Sequence, residues 1–135
     1  MRRDFLGIFG LPFGLLMAAM PVMAHHSFAA QFAGNKTVTL KGTVTKVEWM
    51  NPHIYFFIDV KDNSGKAASW AIEGGSPSGL YRYGWTKNSL KPGDDVTVEG
   101  FLARDGSNLA NMSVVTMAGK KVLGRIDSPG DATYK

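Results

Sequence analysis

The sequence predicts an all-β protein: a small five-stranded Greek-key barrel with one short helix between strands 3 and 4. Short apolar–polar alternations, separated by turn sequences, recur along residues 37–117, as expected for antiparallel strands. One interruption, residues 74–93, carries a short helical pattern instead. Three strands, a helix and two strands is the order of the OB-fold. The alternative is a small antiparallel sandwich, in which a helix in the middle of the strand order is less expected.

The first predicted strand covers residues 37–50 and changes face part-way along. Leu40 and Val44 share one parity, whereas the next apolar residue, Val47, has the other. A switch of face within one strand predicts a β-bulge or a sharp bend near Thr45. A long bent strand can pair at both of its ends, which is how a barrel of this type closes.

The other elements are shorter. Further strands are predicted at residues 53–60, 66–74, 95–103 and 108–117, with a last short one at 121–123. Hairpin turns are predicted at residues 62–65 and 104–107 because Asp, Asn, Ser and Gly cluster there. A short helix is predicted from Pro77 to Trp85, and residues 86–90 resemble a second helical turn.

The N-terminal residues 1–24 are predicted to be a cleaved export signal rather than part of the fold. Arg2 and Arg3 are followed by an apolar run, which ends in small or apolar residues at Ala24. A membrane anchor is less consistent with the sequence, because the run is short, interrupted by Gly and Pro, and not followed by charges. We therefore expect a periplasmic protein without a stable membrane anchor after cleavage.

Two export routes fit the signal. Paired arginines followed by any residue and two apolar residues, as in Arg2-Arg3-Asp4-Phe5-Leu6, are typical of a twin-arginine signal. An ordinary secretion signal whose charge happens to be two arginines fits equally well.

Cleavage after Ala24 would divide the chain into a signal (1–24), an N-terminal arm (25–36), a β-barrel domain (37–123) and a flexible tail (124–135). The full chain has 15 Lys and Arg and 11 Asp and Glu. Removing Arg2, Arg3 and Asp4 leaves 13 basic and 10 acidic residues, a charge of +3. This charge is too small to predict nucleic-acid binding.

The chain has no cysteine, so disulfides, thiolate metal sites and thiol catalysis are excluded.

The three histidines are candidate metal ligands, with copper the most plausible metal. If cleavage follows Ala24, His25 becomes the first residue and offers its amine and its imidazole together. If cleavage falls one residue earlier, His26 is third from a free amine, an arrangement that binds Cu(II) with the intervening amide nitrogens. Copper has the highest affinity for such nitrogen sites. His53, at a strand entry, could complete a site with His25 or His26. The alternative is that the histidines are incidental.

Aromatic side chains form a second candidate site. Trp49, Tyr55 and Trp70 lie on or near the second and third strands, where OB barrels bind sugars and oligonucleotides. The competing interpretation is that they only pack, because aromatic residues dominate small cores.

No enzyme is predicted. Glu73 lies at a strand end before two glycines, which allow either a plain turn or the close approach of a ligand. The other carboxylates are scattered, and neither a nucleophile elbow nor a phosphate loop is present.

The motifs "AHHSF", "VEWMNPH", "GW" before "SLKPGD", and "DGSN" resemble an uncharacterised family of small exported bacterial proteins, the domain of unknown function 6152. The resemblance covers residues 25 to about 117 and implies an exported, β-barrel-like domain without catalytic residues to assign. Its motifs contain all three histidines.

These observations together predict an exported, non-catalytic binding protein that holds copper through His25, His26 and His53. The alternatives are an accessory module that binds an envelope protein, and an OB-fold that binds a sugar or another small molecule.

Overall fold

The structure is a computed structural model that describes residues 28–117 and 122–125. The predicted signal peptide, His25, His26 and the part of the predicted tail beyond residue 125 lie outside the described residues.

Six strands and two short helices make up the described chain. They are α1 (Phe28–Gln31), β1 (Phe32–Glu48), β2 (Tyr55–Lys61), β3 (Ala67–Glu73), α2 (Pro77–Arg82), β4 (Asp95–Ala103), β5 (Leu109–Met117) and β6 (Val122–Arg125). The predicted second to fifth strands are confirmed within two residues at each end.

The sheet closes into a ring through its first strand. β1 pairs antiparallel with β2 along one half and with β4 along the other, so it belongs to both sides of the barrel. β2 pairs with β3, β4 pairs with β5, and a short parallel contact joins β3 to β5. The circular order β1-β2-β3-β5-β4-β1, with α2 between β3 and β4, is that of the OB-fold. The predicted fold class is confirmed.

The predicted bend in β1 is present. The pairing of β1 with β2 shifts register between Val44 and Lys46, so an extra residue, Thr45, is inserted there. The bulge moves the buried face from Val44 to Val47, which lies opposite the buried Phe56.

β1 begins five residues earlier than its apolar pattern predicts. Phe32 pairs with Ala103 of β4, and both Phe32 and Ala33 are buried. The Gly34-Asn35 sequence, expected to form a turn, lies inside the strand, where the β1–β4 register is irregular between Phe32 and Thr37. Burial of Phe32 explains why the strand continues through a segment whose own residues favour a turn.

Helix α2 starts where its sequence indicates. The Ser76 hydroxyl accepts a hydrogen bond from Gly79 N at 3.2 Å. Pro77 occupies the first turn of the helix, where a backbone N–H would have no acceptor within the helix, so its missing N–H costs no hydrogen bond. The helix ends before Gly84, whose φ of +82° is left-handed. Because of this break, the predicted second helical turn at residues 86–90 is a hydrogen-bonded turn instead, closed by Ser89 N and Thr86 O at 2.9 Å.

One hydrophobic core fills the barrel, and α2 closes its end. Leu80 of α2 and Trp85 just after it are each 1% exposed and pack in the same cluster as the inward residues of all five barrel strands. Among the described residues, neither helix has the length and hydrophobicity needed to cross a bilayer.

Candidate functional site

The candidate site forms where the β1–β2 loop meets the end of β3. The β2–β3 register places Tyr55 opposite Glu73. Pairing then continues beyond the strands, because Gly74 N donates to Ile54 O at 2.9 Å and Ile54 N donates to Gly75 O at 3.0 Å. These two bonds extend the β2–β3 ladder past Tyr55 and Glu73 toward His53, which lies beside Glu73.

His53 and Glu73 form the central contact of the site. His53 Nδ1 lies 2.5 Å from Glu73 Oε1. The Glu73 side chain is only 6% exposed, whereas that of His53 is 38% exposed. A carboxylate can only accept a hydrogen bond, so Nδ1 carries the proton. Whenever the ring is neutral, this proton position leaves the lone pair on Nε2, and no described residue is seen to hydrogen-bond to that atom.

Tyr55 completes the immediate surroundings of Glu73. Burial raises the pKa of Tyr55 to about 12, and the negative charge of Glu73 contributes in the same direction. The phenol therefore stays protonated to a higher pH in the folded protein than that of a tyrosine does in water.

Glu73 is only partly satisfied. Its second oxygen, Oε2, is buried and has no hydrogen-bond partner among the described residues. A buried polar atom without a partner is unusual in a folded protein. Glu73 thus occupies a position where burial alone would favour an apolar residue.

The arrangement suits a metal-ligating histidine. Ligating imidazoles usually donate their other N–H to a carboxylate, which fixes the tautomer and makes the ligating nitrogen more basic. His53 has this geometry, with Nε2 as the available ligand atom. Among residues 28–117 and 122–125, however, no three His, Cys, Asp or Glu side chains are grouped so as to hold a metal. A metal at His53 would therefore need ligands from outside the described part of the chain.

The other predicted site residues are divided between two faces of the sheet. Tyr55 shares the face of its register partner Glu73, whereas Trp70 pairs with Ile58 and packs against the core cluster. Because side chains alternate along a strand, Tyr55 and Trp70 project to opposite sides. Trp49 also packs against the core, and its ring lies 5.7 Å from that of Tyr81. The structure brings His53 and Tyr55 to Glu73 but does not bring Trp70 to them.

Glu73 is the functional candidate that sequence patterns alone left unconnected to His53. One signal in the sequence could have brought the two together. The hairpin turn at residues 62–65 sets the β2–β3 register, which places Glu73 opposite Tyr55 and therefore near the β1–β2 loop that carries His53.

The sequence matches a family of unknown function, DUF6152, over residues 14–112. The chain belongs to this family. The DUF6152 match includes all three histidines and Glu73. No protein of curated function matches the sequence.

Solved structures with a similar fold are distant in sequence. Rim1, a mitochondrial single-stranded DNA-binding protein from S. cerevisiae, is 11% identical over 61% of this chain and 92% of its own, with a TM-score of 0.48. The N-terminal domain of PriB from Thermoanaerobacter tencongensis is 21% identical over 64% of this chain and 99% of its own, with a TM-score of 0.44. These similarities imply nothing about the function of the DUF6152 chain.

Proposed function

We propose that the protein is exported to the periplasm and acts there as a non-catalytic copper-binding protein. The observation that carries the proposal is the contact between His53 Nδ1 and the buried Glu73 carboxylate, which leaves Nε2 available as a ligand. Metal-ligating imidazoles commonly donate their other N–H to such a carboxylate.

The remaining ligands in this proposal are His25 and His26. Cleavage after Ala24 makes His25 a chelating N-terminal residue, and cleavage after Met23 places His26 third from the free amine. Both products supply amine, imidazole or amide nitrogens, for which Cu(II) has the highest affinity among divalent first-row metals. Copper bound there would be held by His53 Nε2 and the N-terminal nitrogens, with Glu73 orienting the His53 ring.

The proposal is tested on untagged protein purified from the periplasm, with the N-terminus established by mass spectrometry. Cu(II) affinity is measured by competition with a chelator of known affinity, and nitrogen ligands are counted by EPR. We expect His53→Ala to weaken Cu(II) binding about tenfold or more and to remove one nitrogen from the EPR spectrum. Met50→Leu, a change at an exposed side chain of the same loop, is the matched control and should leave both measurements unchanged.

A second variant tests the N-terminal half of the site. One extra residue placed before the mature N-terminus moves the free amine away from the histidines and should weaken binding further. Binding that is unchanged in both the extended protein and His53→Ala would contradict the proposal.

One observation favours a second candidate, an accessory module that binds an envelope protein. Met50 and Tyr81 are 57% and 53% exposed, and Tyr81 lies against Trp49, the residue next to Met50. Exposed apolar groups that lie together are common at protein interfaces. Crosslinking in the periplasm followed by purification tests this candidate: a partner lost in Tyr81→Asp but kept in His53→Ala would support it over the copper site.

A further inference from the structure

The loop between β1 and β2 is short and closed at its base. Glu48, the last residue of β1, pairs with Tyr55, the first residue of β2. Paired strand residues are about 5 Å apart, so the loop leaves and re-enters the sheet at neighbouring positions. The chain bends at residues 51–52, in the middle of the loop. Met50 and His53 therefore lie on the two sides of the bend, three positions apart.

Burial divides the loop into an inward and an outward side. Ile54 is 0% exposed and belongs to the core cluster, and Trp49 packs against that cluster from the other end of the loop. Between them, Met50 is 57% exposed and the His53 side chain is 38% exposed. The two inward residues thus flank the loop, whereas Met50 and His53 share its solvent-facing side.

Met50 offers a metal at His53 a ligand of a different class. Within the part of the chain that the structure describes, no three His, Cys, Asp or Glu side chains are grouped to hold a metal. A thioether sulfur, however, is a ligand for the soft ion Cu(I). Three residues span at most about 10 Å, and the bend shortens that distance. Because a methionine side chain has three rotatable bonds, the Met50 sulfur can reach a metal bound at His53 Nε2.

The other side chains near the loop leave this pair as the available ligands. Glu73 is buried and engaged with His53 Nδ1, which fixes the ring and leaves Nε2 to bind. Glu48, at the end of β1, is paired with Lys46. One imidazole of fixed orientation and one adaptable thioether suit Cu(I), which accepts fewer ligands than Cu(II).

We propose that Met50 Sδ and His53 Nε2 form a Cu(I) site on the outward side of the β1–β2 loop. This inference rests on the proposed copper function and adds to it an oxidation state and a ligand from within the barrel domain. Cu(II) is the harder ion and gains little from a thioether. Met50 should therefore distinguish the two oxidation states, whereas His53 should serve both.

The test measures both oxidation states in the untagged mature protein. Cu(I) affinity is measured without oxygen, in excess reductant, by competition with a Cu(I)-selective chelator. A residue that only orients a ligand contributes about tenfold or more to metal affinity, so loss of the ligand itself in Met50→Leu should weaken Cu(I) binding at least about tenfold. The same variant should leave Cu(II) affinity unchanged, and His53→Ala should weaken the binding of both ions.

Met117→Leu is the matched control, because it makes the same replacement away from the loop. Met117 ends β5, about 20 Å along the strand from Asn111, the residue that pairs with Glu73. This variant should change neither affinity. Met50 is exposed, so thermal unfolding of Met50→Leu should stay close to that of the native protein.

Methyl NMR identifies the sulfur ligand directly. Residues 25–135 contain only three methionines, Met50, Met112 and Met117, so the spectrum of methyl-labelled protein is simple. Cu(I) should shift the Met50 methyl resonance and leave that of Met117 in place. If the Met50 methyl does not shift and Met50→Leu keeps its Cu(I) affinity, the inference is wrong, while weaker Cu(II) binding in His53→Ala would still support the proposed function. If His53→Ala weakens the binding of neither ion, both fail.

Discussion

At the scale of single residues, the least expected feature is a carboxylate buried on the outward face of a strand. Glu73 is 5% exposed, and its Oε1 lies 2.5 Å from His53 Nδ1. Burying a charge without full compensation costs free energy. Such a residue is therefore better explained by what it does to His53 than by its contribution to stability.

Glu73 should control which His53 nitrogen is protonated. Glu73→Ala removes the acceptor of Nδ1–H, so the neutral ring should lose its preference for the Nδ1–H tautomer, because the tautomer follows the hydrogen bond of the other nitrogen. Long-range ¹⁵N–¹H NMR of the metal-free protein in alkaline buffer measures this directly. Glu48→Gln is the matched control, since Glu48 is a strand carboxylate paired with the exposed Lys46. An unchanged tautomer in Glu73→Ala would show that Glu73 does not orient the ring.

The raised pKa of Tyr55 gives the site a signature at high pH. Burial first, and the charge of Glu73 second, raise the pKa from 10.0 to about 12 in the folded state. Between these values the unfolded chain releases this proton while the folded chain keeps it, so folding stability should fall as pH rises from about 10 to 12. Urea unfolding across this range should show a shallower decline in Tyr55→Phe. Identical slopes in the two proteins would contradict the assignment.

Part of this site was predictable from the sequence. The hairpin turn at residues 62–65 sets the β2–β3 register, and extending that register places Tyr55 opposite Glu73. The His53 contact was not predictable in the same way. His53 precedes the strand, and its position depends on how the loop at residues 49–54 packs, which no periodic pattern encodes.

At the scale of elements, β1 decides whether the barrel can close, because it pairs on both sides. Its bulge was predictable from the switch of apolar parity, since the change from Val44 to Val47 can only be met by an inserted residue. Its early start was not, because Gly34 and Asn35 favour a turn locally. The burial of Phe32 against the barrel overrides that preference, and burial depends on distant parts of the chain.

Gly42 should be essential to the path of β1. A Cβ atom at Gly42 would lie 2.5 Å from Asp59 O and 3.0 Å from Asp59 C, both backbone atoms of β2 that cannot move away cheaply. We expect Gly42→Ala to lower the free energy of unfolding by about 1–3 kcal/mol, as for other overpacked positions. Gly34→Ala in the same strand meets only the Phe28 ring at 4.0 Å and should change stability by less than about 0.5 kcal/mol. Urea denaturation of the two variants measures the difference, and equal losses would contradict it.

At the scale of the whole molecule, the ring of strands has one short seam. Only residues 71–73 of β3 pair with residues 109–111 of β5, whereas β2 and β3 pair along their full length. Asn108 reinforces the seam with two hydrogen bonds. Its backbone carbonyl accepts from Ala71 N at 2.9 Å, and its side-chain Nδ2 donates to Ser69 O at 3.3 Å. Glu73 is the last residue of this seam, so the candidate site depends on the contact that closes the barrel.

A matched pair of core substitutions separates the seam from the rest of the barrel. Ile72, at the seam, and Ile58, in the middle of β2, are both 0% exposed. Ile→Val at either position should lower the free energy of unfolding by about 0.5–1.5 kcal/mol. Only Ile72→Val should also loosen the β3–β5 contact, because its side chain lies next to Ala110 across the seam. Hydrogen exchange at the Ala71 amide should then be faster in Ile72→Val than in Ile58→Val at equal global stability. If the two variants exchange alike, the seam opens only with the whole barrel, and Glu73 is held as rigidly as the core.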